Sequence, residues 1–272
     1  MFLSTAGLAL SWEPVPARGA TRRVLVHNLW DAPIGYTDAL EWQRQLRDAR
    51  VQRLRDDGPS LPDTLLLVQH PPVYTLGTAS TLDNLRSDTP PFELHRTERG
   101  GEVTYHGPGQ LVLYPILDLR EYRQDVHWYM RSLEEVALRT LGSLGLPGER
   151  VEGLTGAWVR GAKVCAIGVK LSRWVTMHGL ALNVCPDLSH FGHIVPCGIA
   201  DRPVTSVAEL LGEDAADLCE VQRLLLGHFS DVFSVELVEA SEGEGGEDAP
   251  AILDGSLASG RKEGDLLAKS GV

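Results

Sequence analysis

The sequence lacks the features that membrane-spanning, disulfide-stabilised and nucleic-acid-binding proteins need. No apolar run in its 272 residues is long enough to cross a bilayer, and the longest, residues 2–12, lacks the basic residues that open a secretory signal. Four cysteines without a repeated close spacing do not form a disulfide framework in a chain of this size, which favours a reducing compartment. We predict that Cys165 and Cys219 are small apolar core residues, whereas the sequence leaves Cys185 undecided. The net charge of −12 argues against general nucleic-acid binding.

Sequence signatures of cofactors are missing as well. No Gly-x-x-x-x-Gly-Lys sequence is present, so nothing indicates a phosphate-binding loop for ATP. The glycines of residues 99–110 lack the helix and the third glycine of a dinucleotide fingerprint. The cysteines and histidines of residues 185–197 are of types that suit zinc, but their spacing matches no common zinc site. We therefore expect neither a cofactor nor a metal ion.

Lysine is scarce. Of 25 basic residues only four are lysines, and two of these lie in the C-terminal tail. Because lysine can release its proton and arginine keeps it, a lysine in an arginine-rich chain marks a position where a titratable amine is useful; codon usage and chance are the alternative. In residues 163–171, a period of two puts Lys163 on an apolar strand face and Lys170 on the other face. Partial desolvation there suits the Lys163 amine to exchange a proton with a thiol.

The thiol in the best setting for chemistry is Cys197. Pro196 before it and Gly198 after it predict a tight turn that a substrate can approach. A thiol is mostly protonated at neutral pH, so a nucleophilic Cys197 needs a neighbouring cation or base. Lys163 is the candidate for that neighbour.

Residues 99–110 form a second constellation, RGGEVTYHGPGQ. Two glycines, an alternating strand and a Gly-Pro-Gly turn predict a close approach of the backbone to another group. Taken alone, these glycines are more often explained by a purely structural turn, because glycine-rich hairpin turns are common. His106 is then a core histidine, an acid–base group or a polar wall of a pocket.

Strands and helices are mixed along the chain without strict alternation. Strands are predicted at residues 24–29, 64–69, 73–77, 158–159, 163–171, 175–183 and 232–238, and helices at residues 35–55, 127–144 and 214–229. The mixture indicates an α+β fold with a mixed, largely antiparallel sheet flanked by helices. Residues 1–20 lack periodicity and are interpreted as an N-terminal extension, and residues 239–272 as an acidic Gly/Ser-rich disordered tail.

Four motifs together resemble a known family. RGGEVTYHGPGQLVLYPILDLR, KVCAIGVK, HGLALNV and HIVPCGI follow one another as in the lipoyl(octanoyl) transferases, the octanoyltransferases that start protein lipoylation. The resemblance runs from about residue 24 to 238. It implies the fold of the lipoate ligase and biotin ligase catalytic domain, with an acyl-binding tunnel, and makes residues 21–238 the octanoyltransferase catalytic domain.

The resemblance also assigns roles to residues. Cys197 matches the acyl-thioester nucleophile, and Lys163 matches the lysine that favours its thiolate. The substrate-binding positions it implies are Arg99, Gly100, Gly101, Glu102, Val103, Thr104, Tyr105, His106, Ala166, Ile167, Gly168, Gly179, Leu180 and Ala181.

The implied reaction moves an octanoyl or lipoyl group from acyl carrier protein to a lysine of a lipoyl domain, in 2-oxoacid dehydrogenases or the glycine cleavage H protein. Backbone N–H groups at the Cys197 turn would stabilise the oxyanion, with His106 or His178 as candidate helpers. One alternative is an ATP-dependent lipoate or octanoate ligase on the same fold, against which the Pro-Cys-Gly turn and the missing nucleotide motif count. The other is a non-catalytic binding protein, against which the pair Cys197 and Lys163 counts.

Docking and location follow from the distribution of charge. Both expected partners are acidic, like this chain, so an arginine patch would have to supply the contrast, with Arg120, Arg123 and Arg131 as candidates. The arginines of residues 18–23 give a weak organelle-targeting signal that Glu13 counts against, so we expect the cytoplasm.

Overall fold

The computed structural model describes residues 12–14, 21–56, 60–86, 90–195 and 202–240. Cys197, most of the predicted N-terminal extension and nearly all of the predicted tail lie outside the described residues. The strands are β1 (Arg22–Pro33), β2 (Asp63–Gln69), β3 (Val73–Leu76), β4 (Glu93–Arg96), β5 (Val103–His106), β6 (Gln110–Ile116), β7 (Glu149–Val151), β8 (Leu154–Val159), β9 (Ala162–Ser172), β10 (Val175–Asn183) and β11 (Val235–Glu239). The α-helices are α1 (Tyr36–Arg55), α2 (Val126–Ser143), α3 (Val207–Leu211) and α4 (Leu218–Phe233).

A large sheet organises the described chain. Its strands follow the order β11-β1-β2-β6-β10-β9-β8-β7, and β4-β3-β5 form a second, smaller sheet. In the large sheet β1 pairs in parallel with β11 and with β2, and the other neighbours are antiparallel. The predicted α+β fold with a mixed, largely antiparallel sheet is therefore confirmed.

The central strands β2 and β6 are apolar on both faces because helices cover both sides of the sheet. Leu65 and Leu67 belong to the core that includes α2 and α4. Leu66 and Val68 belong to the core on the α1 side. This explains why the run at residues 64–69 is continuous rather than alternating.

The last helix begins and ends later than predicted. The Asp217 carboxylate accepts a hydrogen bond from the Cys219 N–H and so caps the N-terminus of α4, and Ser234 ends it in the left-handed conformation with φ 54°. Residues 232–233, predicted as strand, are therefore helical. The prediction that Cys219 is a core residue is also wrong, because it is exposed in the first turn of this helix.

The sequence did not predict three short elements, but it did predict the hairpin turns. The strands β4 and β7 and the helix α3 have five residues or fewer and carry little periodicity. Arg160 and Gly161 have φ values of 51° and 79°, and Arg173 and Trp174 have 50° and 69°, as tight hairpin turns require. These turns connect β8, β9 and β10 in the predicted meander.

Residues 12–14 contact α2. The Trp12 indole N–H donates to the Ser132 hydroxyl at 2.9 Å, and the Trp128 indole N–H donates to the Glu13 carbonyl at 3.0 Å.

No helix of the described ranges is long and apolar enough to span a membrane.

Candidate active site

A pocket of about 610 Å³ lies among the segments that carry three of the four motifs. It brings together Lys163 and all but one of the predicted substrate-binding residues, which come from the loop before β5, from β5 itself, from β9 and from β10. The predicted residues that line it are Arg99, Gly100, Gly101, Glu102, Val103, Thr104, His106, Ala166, Ile167, Gly168, Gly179, Leu180 and Ala181. Segments far apart in the sequence thus meet in one cavity.

Tyr105 is the predicted residue that does not line the pocket. Its ring packs against Tyr74 and Phe191, with centroids 5.7 and 5.4 Å away. Successive side chains of a strand point to opposite faces, so Tyr105 lies away from the pocket that its neighbour His106 lines. Burial raises the pKa of Tyr105 to about 12, so it stays protonated.

The loop before β5 is attached to the sheet on two sides. Arg99 Nη2 donates to the carbonyl oxygen and the hydroxyl oxygen of Thr75, at 2.8 and 2.9 Å. The Gly100 N–H donates to the Val169 carbonyl of β9 at 2.9 Å. These bonds hold the Arg-Gly-Gly segment against the strand that carries Lys163.

Two glycines of the β9 and β10 motifs are required by close backbone approach. A Cβ atom on Gly168 would lie 2.9 Å from the Gly100 carbonyl oxygen, and one on Gly179 would lie 2.2 Å from the Leu113 carbonyl oxygen. Real Cβ atoms do not come this close to backbone. Both positions therefore need glycine for packing around the pocket, whatever they contribute to substrate binding.

Lys163 is buried at the pocket and is held through both its backbone and its side chain. Its Nζ lies 4.8 Å from the centre of the Trp158 ring, and the Arg202 guanidinium lies 5.6 Å from the same ring. Its N–H donates to the Pro203 carbonyl and its carbonyl accepts from the Thr205 N–H, each at 2.9 Å. The chain that follows residues 196–201 thus runs beside Lys163.

The described cysteines do not line the pocket. Cys165 is fully buried in the core, as predicted, and burial raises the pKa of its thiol to about 12. Cys185 is exposed to solvent on part of its surface. The partial burial of the rest, together with the Glu213 carboxylate, raises the pKa of its thiol. Among the described residues, no three His, Cys, Asp or Glu side chains are grouped closely enough to hold a metal ion.

Three buried histidines lie at the pocket: His106 and His178 line it, and His70 contacts His106. The His106 ring contacts the Tyr36 ring at 6.1 Å and the His70 ring at 5.7 Å, and His178 packs edge-on against Tyr114 at 6.3 Å. Burial lowers the pKa of His70 to about 4. Burial lowers the pKa values of His106 and His178 to about 3, with cationic neighbours adding to the effect. All three imidazoles are therefore neutral near physiological pH.

Sequence reasoning missed Tyr36, His70 and Tyr114 as parts of this cluster. The Tyr114 hydroxyl donates to Nε2 of His70 at 2.8 Å, while Nδ1–H of His70 donates to the Ile34 carbonyl at 2.7 Å. A histidine directly after a buried strand and a tyrosine inside another were the available signals. Neither signal says which strands become neighbours.

The arginines proposed as a docking patch are paired within the chain. Arg120 forms an ion pair with Asp118, Arg123 with Asp125 at 3.6 Å, and Arg131 with Glu134 at 2.5 Å. A neighbouring carboxylate thus offsets each positive charge, and their role in docking stays a prediction.

Comparisons with known proteins identify the family. A family model described as the lipoyl protein ligase A/B catalytic domain matches residues 36–230. An octanoyltransferase of Nostoc punctiforme is 53% identical over 208 residues, which cover 75% of this chain and 87% of that protein. A chloroplastic octanoyltransferase of Arabidopsis thaliana is 45% identical, with 79% of this chain and 81% of that protein covered.

Solved structures show the same fold. An archaeal bipartite lipoate protein ligase from Thermoplasma acidophilum superimposes with a TM-score of 0.61 at 17% identity, covering 88% of this chain and 91% of that one. At this identity the likeness concerns the fold alone, and it confirms the predicted lipoate-ligase-like architecture. The relatives that match in sequence are octanoyltransferases, so the activity of this chain is acyl transfer. The chain therefore belongs to the lipoyl protein ligase A/B catalytic domain family, among the octanoyltransferases that act in protein lipoylation.

Proposed function

We propose that octanoyl transfer by this chain passes through a thioester on Cys197, with Lys163 as the group that exchanges the proton. The observation that carries the proposal is the backbone pairing of Lys163 with Pro203 and Thr205. Both residues follow Cys197 closely in the sequence. The Lys163 backbone and the chain that continues from the Pro-Cys-Gly segment are thus held side by side.

The first half-reaction needs an anionic sulfur. A cation near Cys197 favours the thiolate, which attacks the carbonyl carbon of the octanoyl thioester. A carbon–sulfur bond to Cys197 forms, the bond to the donor sulfur breaks, and the departing thiolate takes a proton from the Lys163 ammonium. One thioester replaces another at nearly equal free energy, so this step needs no ATP.

The second half-reaction releases the enzyme. A lysine amine of the acceptor attacks the Cys197 thioester, its proton passes to Lys163, and the Cys197 thiolate leaves. Conversion of a thioester into an amide is downhill. Backbone N–H groups facing the carbonyl would stabilise the negative charge on its oxygen in both half-reactions.

The apolar part of the pocket takes the acyl chain. Its lining includes Val112, Ala166, Ile167, Val169 and Leu180. Each methylene group buried contributes about 0.8 kcal/mol, so such a lining selects chain length only softly. The Arg99–His106 segment, which also lines the pocket except at Tyr105, would position the thioester end.

The donor we propose is octanoyl-acyl carrier protein. The proposed acceptors are the lipoyl domains of 2-oxoacid dehydrogenases and the glycine cleavage H protein, and the proposed compartment is the cytoplasm. Residues 21–238 would form the catalytic domain, with residues 1–20 and 239–272 as appendages to it.

Intact mass spectrometry of the full chain mixed with octanoyl-acyl carrier protein, without ATP, tests the mechanism. The unsubstituted protein should gain about 126 Da, and hydroxylamine should remove this mass because it cleaves thioesters. Cys197→Ser should not form the hydroxylamine-sensitive adduct. Cys185→Ser is the matched control, because it removes an exposed thiol outside the pocket and should leave the adduct in place.

A further variant separates charge from proton exchange. Lys163→Arg keeps a positive charge that cannot be given up, so it should lose transfer to the lipoyl domain although a cation remains. Full transfer by Lys163→Arg would contradict the proposed role of Lys163. An acyl-adenylate that forms only when ATP is supplied, with no adduct on Cys197, would identify an ATP-dependent ligase instead.

A further inference from the structure

Two buried amide side chains connect the pocket to the chain that follows Cys197. Gln110 Oε1 lies 2.7 Å from Nδ1 of His106, and Gln110 Nε2 donates to Asn183 Oδ1 at 2.8 Å. Asn183 Nδ2 in turn donates to the Thr205 carbonyl at 3.0 Å. All four residues are less than one-tenth exposed. A continuous hydrogen-bonded path therefore runs from His106 to the segment that pairs with Lys163.

The direction of every bond in this path is fixed by backbone carbonyls. The Thr205 carbonyl can only accept, so the Asn183 amide nitrogen must face it and the Asn183 oxygen must face Gln110. The nitrogen of Gln110 must then face both Asn183 and the Tyr105 carbonyl, which accepts from it at 3.3 Å. The oxygen of Gln110 is left to face His106.

His106 must donate a hydrogen bond to this oxygen. Its Nδ1 is therefore the protonated nitrogen, and in the neutral imidazole Nε2 carries a lone pair. Nε2 lies 3.5 Å from the Thr75 hydroxyl, whose oxygen already accepts a hydrogen bond from Arg99. That hydroxyl has its own proton to offer to Nε2. His106 thus presents an acceptor, and no donor, on this side.

We propose that Gln110 and Asn183 are positioning residues that hold His106 as the Nδ1–H tautomer, so that its Nε2 is an acceptor, which a substrate N–H or S–H group in the pocket engages by replacing the 3.5 Å contact with Thr75. The inference rests on the proposed function of this pocket in acyl transfer. Neither amide touches the acyl group in this scheme. Both act through His106.

The groups around His106 support a neutral ring. Tyr36 of α1 stacks on it and His70, at the end of β2, contacts it edge-on. Arg99 and His178 act on it electrostatically, and with His70 they disfavour a positive charge on the ring. Burial has the largest effect and lowers the pKa of His106 to about 3.

Nitrogen NMR of the full chain labelled with 15N-histidine tests the tautomer directly. We expect the His106 signals, identified by their loss in His106→Gln, to show a proton on Nδ1 and none on Nε2 from about pH 8 down to about pH 5. A proton on Nε2 in the unsubstituted protein would overturn the inference. This result does not depend on a Cys197 adduct, so failure of the inference and failure of the proposed mechanism can be told apart.

Gln110→Met tests the positioning role, because it keeps the length of the side chain and removes the amide. We expect the Nδ1–H signature to be lost and kcat to fall about ten- to hundredfold, as when partners behind functional histidines are removed, with a smaller change in KM. Asn183→Leu should shift both readouts in the same direction. Unchanged tautomer and kcat in Gln110→Met would refute the role.

Ser132→Ala provides the matched control. Ser132 is also fully buried and hydrogen-bonded, but to Trp12 and Trp128, and it does not line the pocket. Its substitution should lower stability through the lost bonds while leaving kcat and the His106 signals unchanged. An equal fall of kcat in Ser132→Ala would mean that kcat follows general destabilisation and would refute the positioning role.

Discussion

Acidification should remove much of the stability of this protein well before its carboxylates become protonated. His70, His106 and His178 are neutral in the folded state, where burial lowers their pKa values to about 4, 3 and 3. In the unfolded chain a histidine has a pKa of about 6.5. Below that pH these histidines bind protons in the unfolded state but not in the folded state. Stability is therefore fully present above about pH 6.5 and is lost as the pH falls toward the folded-state pKa values.

The magnitude depends little on the folded-state pKa values, since all three lie below pH 5. Between about pH 7.5 and pH 5, each buried imidazole should lower the free energy of unfolding by about 2 kcal/mol. The three together should lower it by about 6 kcal/mol, which is comparable with the whole stability of many domains. His27, whose pKa burial lowers to about 4, adds in the same direction. Asp63 acts in the opposite direction, because burial raises the pKa of its carboxyl group.

Urea unfolding at the two pH values measures this loss, and His178→Asn assigns part of it. His178 has a φ of 57°, which asparagine tolerates better than most residues, so the substitution is compatible with the backbone. Whatever packing it loses is lost at both pH values. The variant should therefore show a pH-dependent loss smaller by about 2 kcal/mol than the unsubstituted chain. An equal loss in the two proteins would refute the claim that His178 is buried in the neutral form.

Two further substitutions should separate stability from activity. The Arg50 guanidinium and the Asp63 carboxylate form a buried ion pair at 2.9 Å, so Arg50→Met should lower the free energy of unfolding by about 3–5 kcal/mol in urea titrations; a loss below about 1 kcal/mol would contradict burial of this pair. Gly168→Ala would place a Cβ 2.9 Å from the Gly100 carbonyl oxygen and should displace the Arg-Gly-Gly segment, with loss of octanoyl transfer in a mass-spectrometric assay. Gly142→Ala, in α2 with no atom within 4 Å of the new Cβ, should leave transfer intact, and equal activity of the two variants would show that the segment tolerates displacement.

The parts of the fold that the sequence predicts are those with strong periodicity. The central strands are continuous apolar runs, and α2 was predicted at residues 127–144 and lies at Val126–Ser143. The last helix was misplaced because Asp217, its cap, lies inside the window predicted as helical. The strand β4 (Glu93–Arg96) was not predicted, because its four residues are polar or partly exposed and show no strand periodicity. Its extended conformation depends on pairing with β3.

The motifs predicted which segments meet at the pocket, but not which side chains face it. Tyr105 and His106 are neighbours in one motif, and strand geometry sends them to opposite sides. Conversely, Tyr36 lies at the start of α1, far from any motif, and stacks on His106. Motif membership depends on sequence adjacency, whereas access to the pocket depends on the direction of each side chain.

Which nitrogen of His106 donates and which accepts is harder still to predict from sequence, because carbonyl groups distant along the chain determine it. His106 was a candidate helper of the oxyanion, a role that requires a proton on the nitrogen facing the substrate. The Thr205 carbonyl orients Asn183, Asn183 orients Gln110, and Gln110 Oε1 accepts a hydrogen bond from Nδ1–H of His106. A neutral ring held in this way has no second proton to donate. If the proposed tautomer holds, His106 has no proton on Nε2 for the oxyanion, and the proposed mechanism would rely on backbone N–H groups for that stabilisation.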